Sequence, residues 1–337
     1  MVTCVKVHVT KAQDMKKELI ANNQLDNNFF PKKIGEYIYF PVQQYKKETE
    51  DRELDPRLEK LTAIPFKDVL SKILTPKEMS IAKTAHDIMG TIAIIEVPKE
   101  LVVKEQEIAE SLMQSNPLIK TVLKKGSGHE GTFRTQEMKF VAGVETKEAT
   151  YKENECVFTV NVEDVYFSSR LSTERKRIAN QVKEDEEILV MFSGAAPYPC
   201  VISKITKAKN IVGVEINPEG HKYGLQNVAK NKLTNVELYC GDVREVVSTL
   251  NKTFDRIIMP LPKTAEEFLD ITLPVAKKGC IIHMYGFYHV DEFDKAKQEV
   301  KKYCERLGRT YEILEIVKSG QQSPRTYRIC VDFKVTN

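Results

Sequence analysis

The chain has 337 residues, which is more than one typical domain of roughly 100 to 200 residues and enough for two or three. It carries 51 Lys and Arg against 48 Asp and Glu, a net charge of +3, with 29% charged and 42% apolar residues. This composition excludes a mainly disordered chain, and the net charge by itself does not point to a polyanionic partner. The longest charge-free stretch, residues 188–203, contains a glycine and two prolines, so it falls short of the roughly 20 apolar residues that span a bilayer.

The first residues give no sign of a secretory signal, because Lys and His interrupt the apolar positions. We therefore expect an intracellular, cytoplasmic protein without a membrane partner. The seven cysteines are odd in number, widely spread and without a C-x-x-C pair. This pattern favours reduced, mostly buried thiols over a disulfide framework or a zinc site, and no metal is expected.

The first part of the chain is predicted to be a small α/β domain, residues 1–62. Strand-like alternation covers residues 2–9, helical spacing covers 11–22, and a second strand covers 37–42. A charged stretch with few apolar residues, 46–59, is interpreted as a solvated connector to the next domain.

Residues 63–165 are predicted to form a middle α+β domain. Short helices are expected at 66–74 and 105–114, and strands at 91–97 and 157–162. The order of these elements is irregular, which favours a mixed arrangement of helices and antiparallel strands.

Residues 166–337 alternate apolar strands with helices. Strands are expected at 188–192, 211–216, 236–240, 256–261 and 280–285, and helices at 220–230, 242–250, 265–276 and 290–307. Strict alternation predicts a doubly wound parallel sheet, in which ligands bind at the carboxyl ends of the strands.

Small and acidic residues mark those strand ends. The first strand runs into a turn of small residues around Gly194, and the second ends at Glu215, at the spacing of an acid that binds ribose hydroxyls. The G-x-G-x-x-G phosphate fingerprint is absent, so a nucleoside without phosphates fits better than a dinucleotide. This layout resembles the class I, Rossmann-like fold of S-adenosylmethionine methyltransferases. Glu215 could equally cap the next helix, and Asp242 could be an ordinary N-cap.

The most specific motif is Val165-Tyr166-Phe167-Ser168-Ser169-Arg170-Leu171-Ser172-Thr173-Glu174-Arg175. It resembles the V-Y-F-S-x-R-L-x-x-E-R pattern of the archaeal and eukaryotic tRNA (guanine-N1-)methyltransferases that modify guanosine 37. Further matches are Gly131-Thr132-Phe133-Arg134, the Phe192-x-Gly194 turn and Leu261-Pro262. The resemblance extends over essentially the whole chain, including the small first domain, which it implies is a tRNA-docking domain.

The resemblance assigns roles to individual residues. Glu174 is implied as the base that takes the N1 proton, and Arg134 as the guanidinium that stabilises charge on O6. S-adenosylmethionine is implied at Phe192, Gly194, Ala196, Glu215, Ile216, Asp242, Val243, Pro260 and Pro262. Contacts with the tRNA and its target nucleotide are implied at Tyr166, Arg170, Arg175, Pro260, Lys318 and Arg325, the last two in the predicted loop KSGQQSPR.

Each role has an ordinary structural alternative. Without the resemblance, Glu174 would be a first-turn acid that complements a helix dipole. Arg134 would be a surface arginine, and Arg175 would belong to a solvated helix face. His283, on an apolar strand, is interpreted as a core or strand-end residue.

The chain departs from the family pattern at three positions. Val190 and Ala196 replace an acid and a glycine near the methionine end of the cofactor, and Pro260 replaces an asparagine that positions guanine. Pro260 is similar to an archaeal subgroup linked to wyosine biosynthesis, which implies a second methylation on C7 of the tricyclic base 4-demethylwyosine. Two alternatives stay open: transfer of the aminocarboxypropyl arm instead of methyl, and a non-catalytic tRNA-binding protein.

Overall fold

The computed structural model describes residues 2–22, 24–26, 29–42, 52–55, 65–126, 133, 135–261 and 263–337. The chain divides into two compact units, Met1–Val69 and Leu70–Asn337. Within the part of the chain that the structure describes, no helix has the length and apolar character needed to cross a membrane.

The first unit is a four-stranded antiparallel sheet with one helix. Its strands, in the order β2-β3-β1-β4, are β1 (Val2–His8), β2 (Lys32–Ile34), β3 (Tyr37–Pro41) and β4 (Arg52–Asp55). Helix α1 (Ala12–Ala21) buries Leu19 against Val5 and Phe40. Strand β4 lies inside the stretch that we predicted to be a solvated connector, so that prediction is wrong for 52–55. The backbone of β4 pairs with β1, a long-range contact that its polar sequence does not signal.

Helix α2 (Phe66–Leu70) includes the boundary between the units, and a group of short elements follows it. These are α3 (Pro76–Ile81), β5 (His86–Met89), β6 (Ile92–Ile95), α4 (Glu105–Ser115), β7 (Thr121–Lys125), β8 (Met138–Gly143), β9 (Glu148–Glu153) and β10 (Cys156–Asn161). Strands β5 to β8 form a mixed sheet in sequence order, called the middle sheet below, and β9 and β10 form a separate hairpin. The prediction missed α3, which Thr75 and Glu78 start through a reciprocal capping box.

The rest of the second unit is built around a seven-stranded sheet in the order β13-β12-β11-β14-β15-β17-β16. Its elements are α5 (Ser172–Ala179), β11 (Glu187–Met191), α6 (Pro197–Ile205), β12 (Asn210–Glu215), α7 (Pro218–Lys230), β13 (Val236–Cys240), α8 (Val243–Thr249), β14 (Phe254–Met259), α9 (Leu269–Thr272), β15 (Ala276–His289), α10 (Phe293–Arg306), β16 (Tyr311–Ser323) and β17 (Thr326–Val335).

The central strands are apolar because both faces of this sheet are covered. In β11, Leu189 and Met191 pack into one core, and Ile188 and Val190 pack into another on the opposite face. Consecutive residues of a strand point to opposite faces, so a strand covered on both sides needs a continuous apolar run. Strands β11 to β15 pair in parallel, which confirms the predicted doubly wound core.

The last part of the sheet differs from the prediction. Strand β17 runs antiparallel to β15, and β16 pairs antiparallel with β17. The predicted loop that contains Lys318 and Arg325 is therefore the end of β16 and a tight turn. Helix α6 was also missed, because Pro197 and Pro199 suggested a loop. They occupy the first turn, where a missing backbone N–H costs no helical hydrogen bond.

Two asparagines attach the β9–β10 hairpin to helix α7. The Asn227 amide accepts from the Thr159 N–H at 2.7 Å and donates to the Thr159 carbonyl at 3.2 Å. One helical turn later, Asn231 makes the same pair of bonds with Val157, both at 2.8 Å. The two side chains thus satisfy the backbone groups of β10 that would otherwise be an unpaired strand edge.

Candidate active site

The second unit contains a cavity of about 960 Å³ that is lined by the middle sheet and by residues near the carboxyl ends of the seven-stranded sheet. Its walls combine apolar and aromatic side chains, as in most ligand sites. They are Met89, Ile94, Met138, Val162, Val165, Tyr166, Phe167, Leu261, Phe268 and Phe287. Aromatic faces of this kind can stack on a nucleobase that has been turned out of an RNA loop.

The charged residues of the cavity are mostly cationic. Four basic side chains line it, Lys125, Arg170, Lys263 and Arg328, against the two acids Asp87 and Glu163. Asp87 is paired with Arg170 at 2.6 Å, and Glu163 with Lys147 at 2.7 Å. The resulting excess of positive charge is suited to a polyanion, although the whole chain is almost neutral.

The motif at residues 165–175 begins with a segment that forms one wall of this cavity. Residues 165–171 line it without a break, and the Ser169 hydroxyl donates to the Ile88 carbonyl of the middle sheet at 3.2 Å. Tyr166 and Arg170, two of the predicted RNA contacts, are therefore brought together at the cavity. Arg170 is well exposed, and only Asp87 forms an ion pair with it among the described residues.

Glu174, the predicted base, lies in the first turn of α5 directly after this wall. It is only 5% exposed and does not line the cavity. Arg177 donates to both of its oxygens at 2.8 Å, and the Tyr285 hydroxyl donates to Oε1 at 2.6 Å. The carboxylate is thus fixed in place by three hydrogen bonds, and its role as the base stays a prediction.

Arg175, which we predicted to contact tRNA, faces the protein interior. It is 2% exposed and pairs with Glu153 through Nε at 2.5 Å and Nη2 at 2.6 Å. Nη2 also donates to the Ser168 carbonyl, and the guanidinium lies 5.2 Å from the centre of the Phe167 ring. This burial corrects the prediction: Arg175 holds the motif against the β9–β10 hairpin and offers no surface to RNA.

A chain of buried polar groups continues behind Glu174. Arg177 also donates to Asp332 at 2.6 Å, and Asp332 accepts from His283 Nδ1 at 2.7 Å. Burial by itself would raise the pKa of Asp332, but His283 and Arg177 outweigh it and hold that pKa well below its ordinary range. Burial lowers the pKa of His283, so the ring is neutral at pH 7. The interpretation of His283 as a core residue agrees with this position.

This network also explains a cluster that resembles a metal site. His283, Cys330 and Asp332 present ligand atoms within 4.8 Å of one another. However, Arg256 lies 2.7 Å from His283 Nε2 and Arg177 contacts Asp332, so two guanidinium groups already occupy the cluster. A guanidinium can only donate, which leaves the ring no free nitrogen for a cation.

The predicted cofactor turn after β11 has an unusual backbone. Phe192, Gly194 and Ala196 have φ angles of 55°, 56° and 60°, a left-handed conformation that is strained for residues other than glycine. Such strain concentrates at functional sites. The Phe192 ring packs edge-on against Phe268, which lines the cavity, with 4.8 Å between ring centres. The turn thus contacts one lining residue of the cavity through Phe192, although none of residues 192–196 lines the cavity itself.

Glu215 lies beside this turn at the end of β12. Its two oxygens accept from the backbone N–H of Gly194 at 2.6 Å and of Asn217 at 2.8 Å. Burial raises the pKa of Glu215, although these N–H groups oppose the shift. The N-cap of α7 is Asn217, so Glu215 is not needed as a cap. Ile216 separates the two residues and is half-buried.

The ends of β13 and β14 place their predicted site residues in different surroundings. Asp242 accepts from the Arg244 N–H at 2.8 Å and N-caps α8, which is the ordinary structural role considered for it, and Val243 is buried behind it. Half-buried Pro260 follows β14, and its neighbour Leu261 lines the cavity. Adjacent strands β11, β12 and β13 bring the turn, Glu215 and Asp242 to the same edge of the sheet, and their role in binding a cofactor stays a prediction.

Two predicted site residues, Arg134 and Pro262, lie outside the described residues. Lys318 and Arg325 do not line the cavity. Lys318 Nζ lies 4.4 Å from the centre of the Tyr327 ring, and Arg325 pairs with Asp291 at 2.9 Å on the exposed β16–β17 turn. Sequence reasoning missed Phe268, Phe287 and Arg328, because they come from elements distant in sequence and no local motif marks them.

The whole chain matches known sequences. Three family models cover most of it: the TRM5/TYW2 methyltransferase domain over residues 149–314, the TYW2 N-terminal domain over 66–146 and the tRNA methyltransferase 5 N-terminal domain over 4–50. The tRNA (guanine(37)-N(1))-methyltransferase Trm5b of Pyrococcus abyssi is 33% identical over 340 residues, which are 100% of both chains. The chain belongs to the Trm5/TYW2 family.

Two further Trm5/TYW2 relatives bear on the site. The tRNA (guanine(37)-N(1))/4-demethylwyosine(37)-methyltransferase Taw22 of Nanoarchaeum equitans is 33% identical over 300 residues, covering 74% of this chain and 98% of that protein. The structure of a complex of aTrm5 with tRNALeu is 28% identical, covers 99% of both chains and superposes with a TM-score of 0.73. The predicted family and fold class are thereby confirmed. The methyltransferase-domain match begins inside β9, so it includes the β9–β10 hairpin that we placed in the middle domain.

Proposed function

We propose that this protein is an S-adenosylmethionine-dependent tRNA methyltransferase that acts on N1 of guanosine 37. The observation that carries the proposal is the cavity: residues 165–171 form one wall of it, and the strained turn after β11 packs against Phe268 in another part of its lining. The Trm5b of Pyrococcus abyssi, which is named for this reaction, matches the chain over its full length. We propose tRNA as the partner and the cytoplasm as the location.

The bound cofactor supplies the methyl group as a sulfonium, which is itself a strong electrophile. The protein must then make N1 of guanine nucleophilic, because N1 carries a proton at neutral pH. We assign Glu174 to take this proton and Arg134 to stabilise the negative charge that develops on O6. Tyr166, Phe268 and Phe287 provide aromatic surface for the base, and Arg170 contacts the RNA backbone.

The proposal is tested by incubating the protein with labelled S-adenosylmethionine and two unmodified tRNAs, one with guanosine and one with adenosine at position 37. Nucleoside mass spectrometry should find N1-methylguanosine only in the first. The released nucleoside distinguishes the reaction type: S-adenosylhomocysteine indicates methyl transfer, and methylthioadenosine indicates transfer of the aminocarboxypropyl arm. A chain that binds tRNA but gives no heat with the cofactor in calorimetry would be a non-catalytic relative.

Pro260 favours a second substrate, the tricyclic base 4-demethylwyosine, methylated on C7. A proline ring offers no side-chain hydrogen bond and no N–H, so this edge of the site is less directional toward guanine than an asparagine would be. Taw22, named for both reactions, is among the relatives. Pro260→Asn should raise the ratio of guanosine to tricycle methylation, measured with the two tRNAs in competition. An unchanged ratio would exclude Pro260 as the determinant.

A further inference from the structure

Arg328, on β17, is a cavity residue to which the sequence analysis gave no role. It lines the cavity and donates from Nη2 to the Tyr166 hydroxyl at 3.2 Å. Its guanidinium carbon lies 5.2 Å from the centre of the Phe287 ring. Two aromatic side chains of the cavity wall therefore hold the guanidinium in one orientation, without neutralising its charge.

Unlike Arg170 and Lys125, which also line the cavity, Arg328 has no acidic partner among the described residues. Arg170 pairs with Asp87 at 2.6 Å, and Lys125 pairs with Glu96 at 2.9 Å. For Arg328, no carboxylate of the described chain lies within 4.0 Å, and its Nε is buried without an acceptor. A buried, charged donor that lacks an acceptor destabilises the protein, and ordered water or a bound ligand would remove this cost.

We propose that Arg328 binds a phosphate oxygen of the tRNA at or beside the target nucleotide. This inference rests on the proposed function, which brings a polyanion into the cavity. A guanidinium fixed by its neighbours presents a planar set of donors that matches phosphate geometry, and little conformational entropy is lost when it binds. The contact anchors the nucleotide backbone from the seven-stranded sheet, next to Tyr166. Arg328 is thus a substrate-binding residue contributed by the last strand of the fold.

The test compares Arg328→Ala and Arg328→Lys with the wild type by filter binding of tRNA at several salt concentrations, and by steady-state methylation. Loss of one phosphate contact should weaken tRNA binding by roughly 10- to 100-fold and reduce the salt slope by about one. The KM for tRNA should rise while kcat changes little, and Arg328→Lys should recover part of the affinity. Calorimetry of cofactor binding and the thermal unfolding midpoint should match the wild type.

Arg306→Ala is the matched control, since Arg306 also lies over an aromatic ring, Tyr303 at 4.5 Å, but is exposed on α10 away from the cavity. It should leave tRNA affinity and its salt slope unchanged. A lower kcat with an unchanged salt slope in Arg328→Ala would indicate that Arg328 contacts the base, which would overturn the phosphate assignment. Unchanged tRNA affinity in Arg328→Ala would also overturn it. Binding is measured without turnover, so absence of methylguanosine in the wild type would refute the proposed function separately.

Discussion

Glu174 is a carboxylate with an unusually complete set of hydrogen bonds for a group proposed to accept a proton. Arg177 and Tyr285 supply three donors to it, which leaves one of the roughly four acceptor positions of the carboxylate, on Oε2, for the proton of N1. Glu174→Gln removes the charge and keeps the size. We expect kcat to fall by roughly 10² to 10⁴, the usual contribution of a general base, with little change in the KM for tRNA. Single-turnover methylation measures this directly.

Tyr285→Phe is the companion variant for that experiment. It removes the donor at 2.6 Å from Glu174 and leaves the Arg177 pair intact. If Glu174 is the base, Tyr285→Phe should keep most of the kcat that Glu174→Gln loses, because the carboxylate and its Arg177 pair remain in place. Full activity in Glu174→Gln would leave the carboxylate as a structural partner of Arg177 only.

Arg175 and Glu153 form the most deeply buried ion pair of the motif, with both side chains 2% exposed. Arg175→Met leaves the Glu153 charge buried without a partner. It should lower the free energy of unfolding by about 3 to 5 kcal/mol, measured by urea titration. Arg175→Met combined with Glu153→Leu should recover much of this, because no charge is left buried. In the exposed pair Lys207–Glu184, Lys207→Met should leave the unfolding free energy nearly unchanged.

The same double variant separates packing from RNA contact. Since Arg175 has no exposed surface, we expect the stable double variant to bind tRNA as the wild type does. Reduced affinity in a normally folded double variant would restore the original interpretation. The motif places Tyr166, Arg170, Glu174 and Arg175 close together in the chain. Their burial depends on the β9–β10 hairpin that packs against them. The sequence of the motif alone therefore does not predict which of these neighbouring side chains are buried.

At the scale of elements, helix α7 is joined to strand β10 by Asn227 and Asn231. Asn227 is fully buried and also donates to the Ala195 carbonyl in the cofactor turn at 3.0 Å. Asn227→Ala removes the amide oxygen that accepts from the Thr159 N–H. It also removes the amide nitrogen that donates to the Thr159 and Ala195 carbonyls. We expect a loss of about 2 to 4 kcal/mol in the free energy of unfolding, from roughly 1 to 3 kcal/mol for each buried group left unsatisfied. Urea unfolding measures it.

Asn210→Ala is the control for that measurement, because Asn210 is an asparagine with a single exposed side-chain bond, to Glu237 at 3.0 Å. It should change stability far less. Because Asn227 contacts the Ala195 carbonyl, its loss should also weaken cofactor binding in calorimetry. Equal stability of Asn227→Ala and the wild type would show that water satisfies β10 instead.

Elements with a clear apolar period were predictable, and those defined by long-range pairing were not. Strands β11, β12 and β14 bury apolar residues on both faces and follow directly from the sequence. Strand β4 is polar and exists through its pairing with β1, and β16 is an edge strand whose residues alternate little. The cavity follows the same division: its wall at 165–171 is one continuous motif, whereas Phe268, Phe287 and Arg328 meet there only because three distant elements converge.

At the scale of the whole molecule, every cavity residue belongs to the unit Leu70–Asn337, from Asp87 to Arg328. The unit Met1–Val69 has its own sheet and its own core, and we propose that it docks on the tRNA body. Removing residues 1–62 should therefore weaken tRNA binding by on the order of 10²-fold, the gain typical of a second tethered contact, and leave cofactor binding within about twofold. Filter binding with full tRNA and calorimetry with the cofactor measure the two effects.

An anticodon stem-loop, which lacks the tRNA body, should bind the truncated and full-length proteins equally well. Equal losses for cofactor and tRNA would instead mean that the first unit supports the fold of the second.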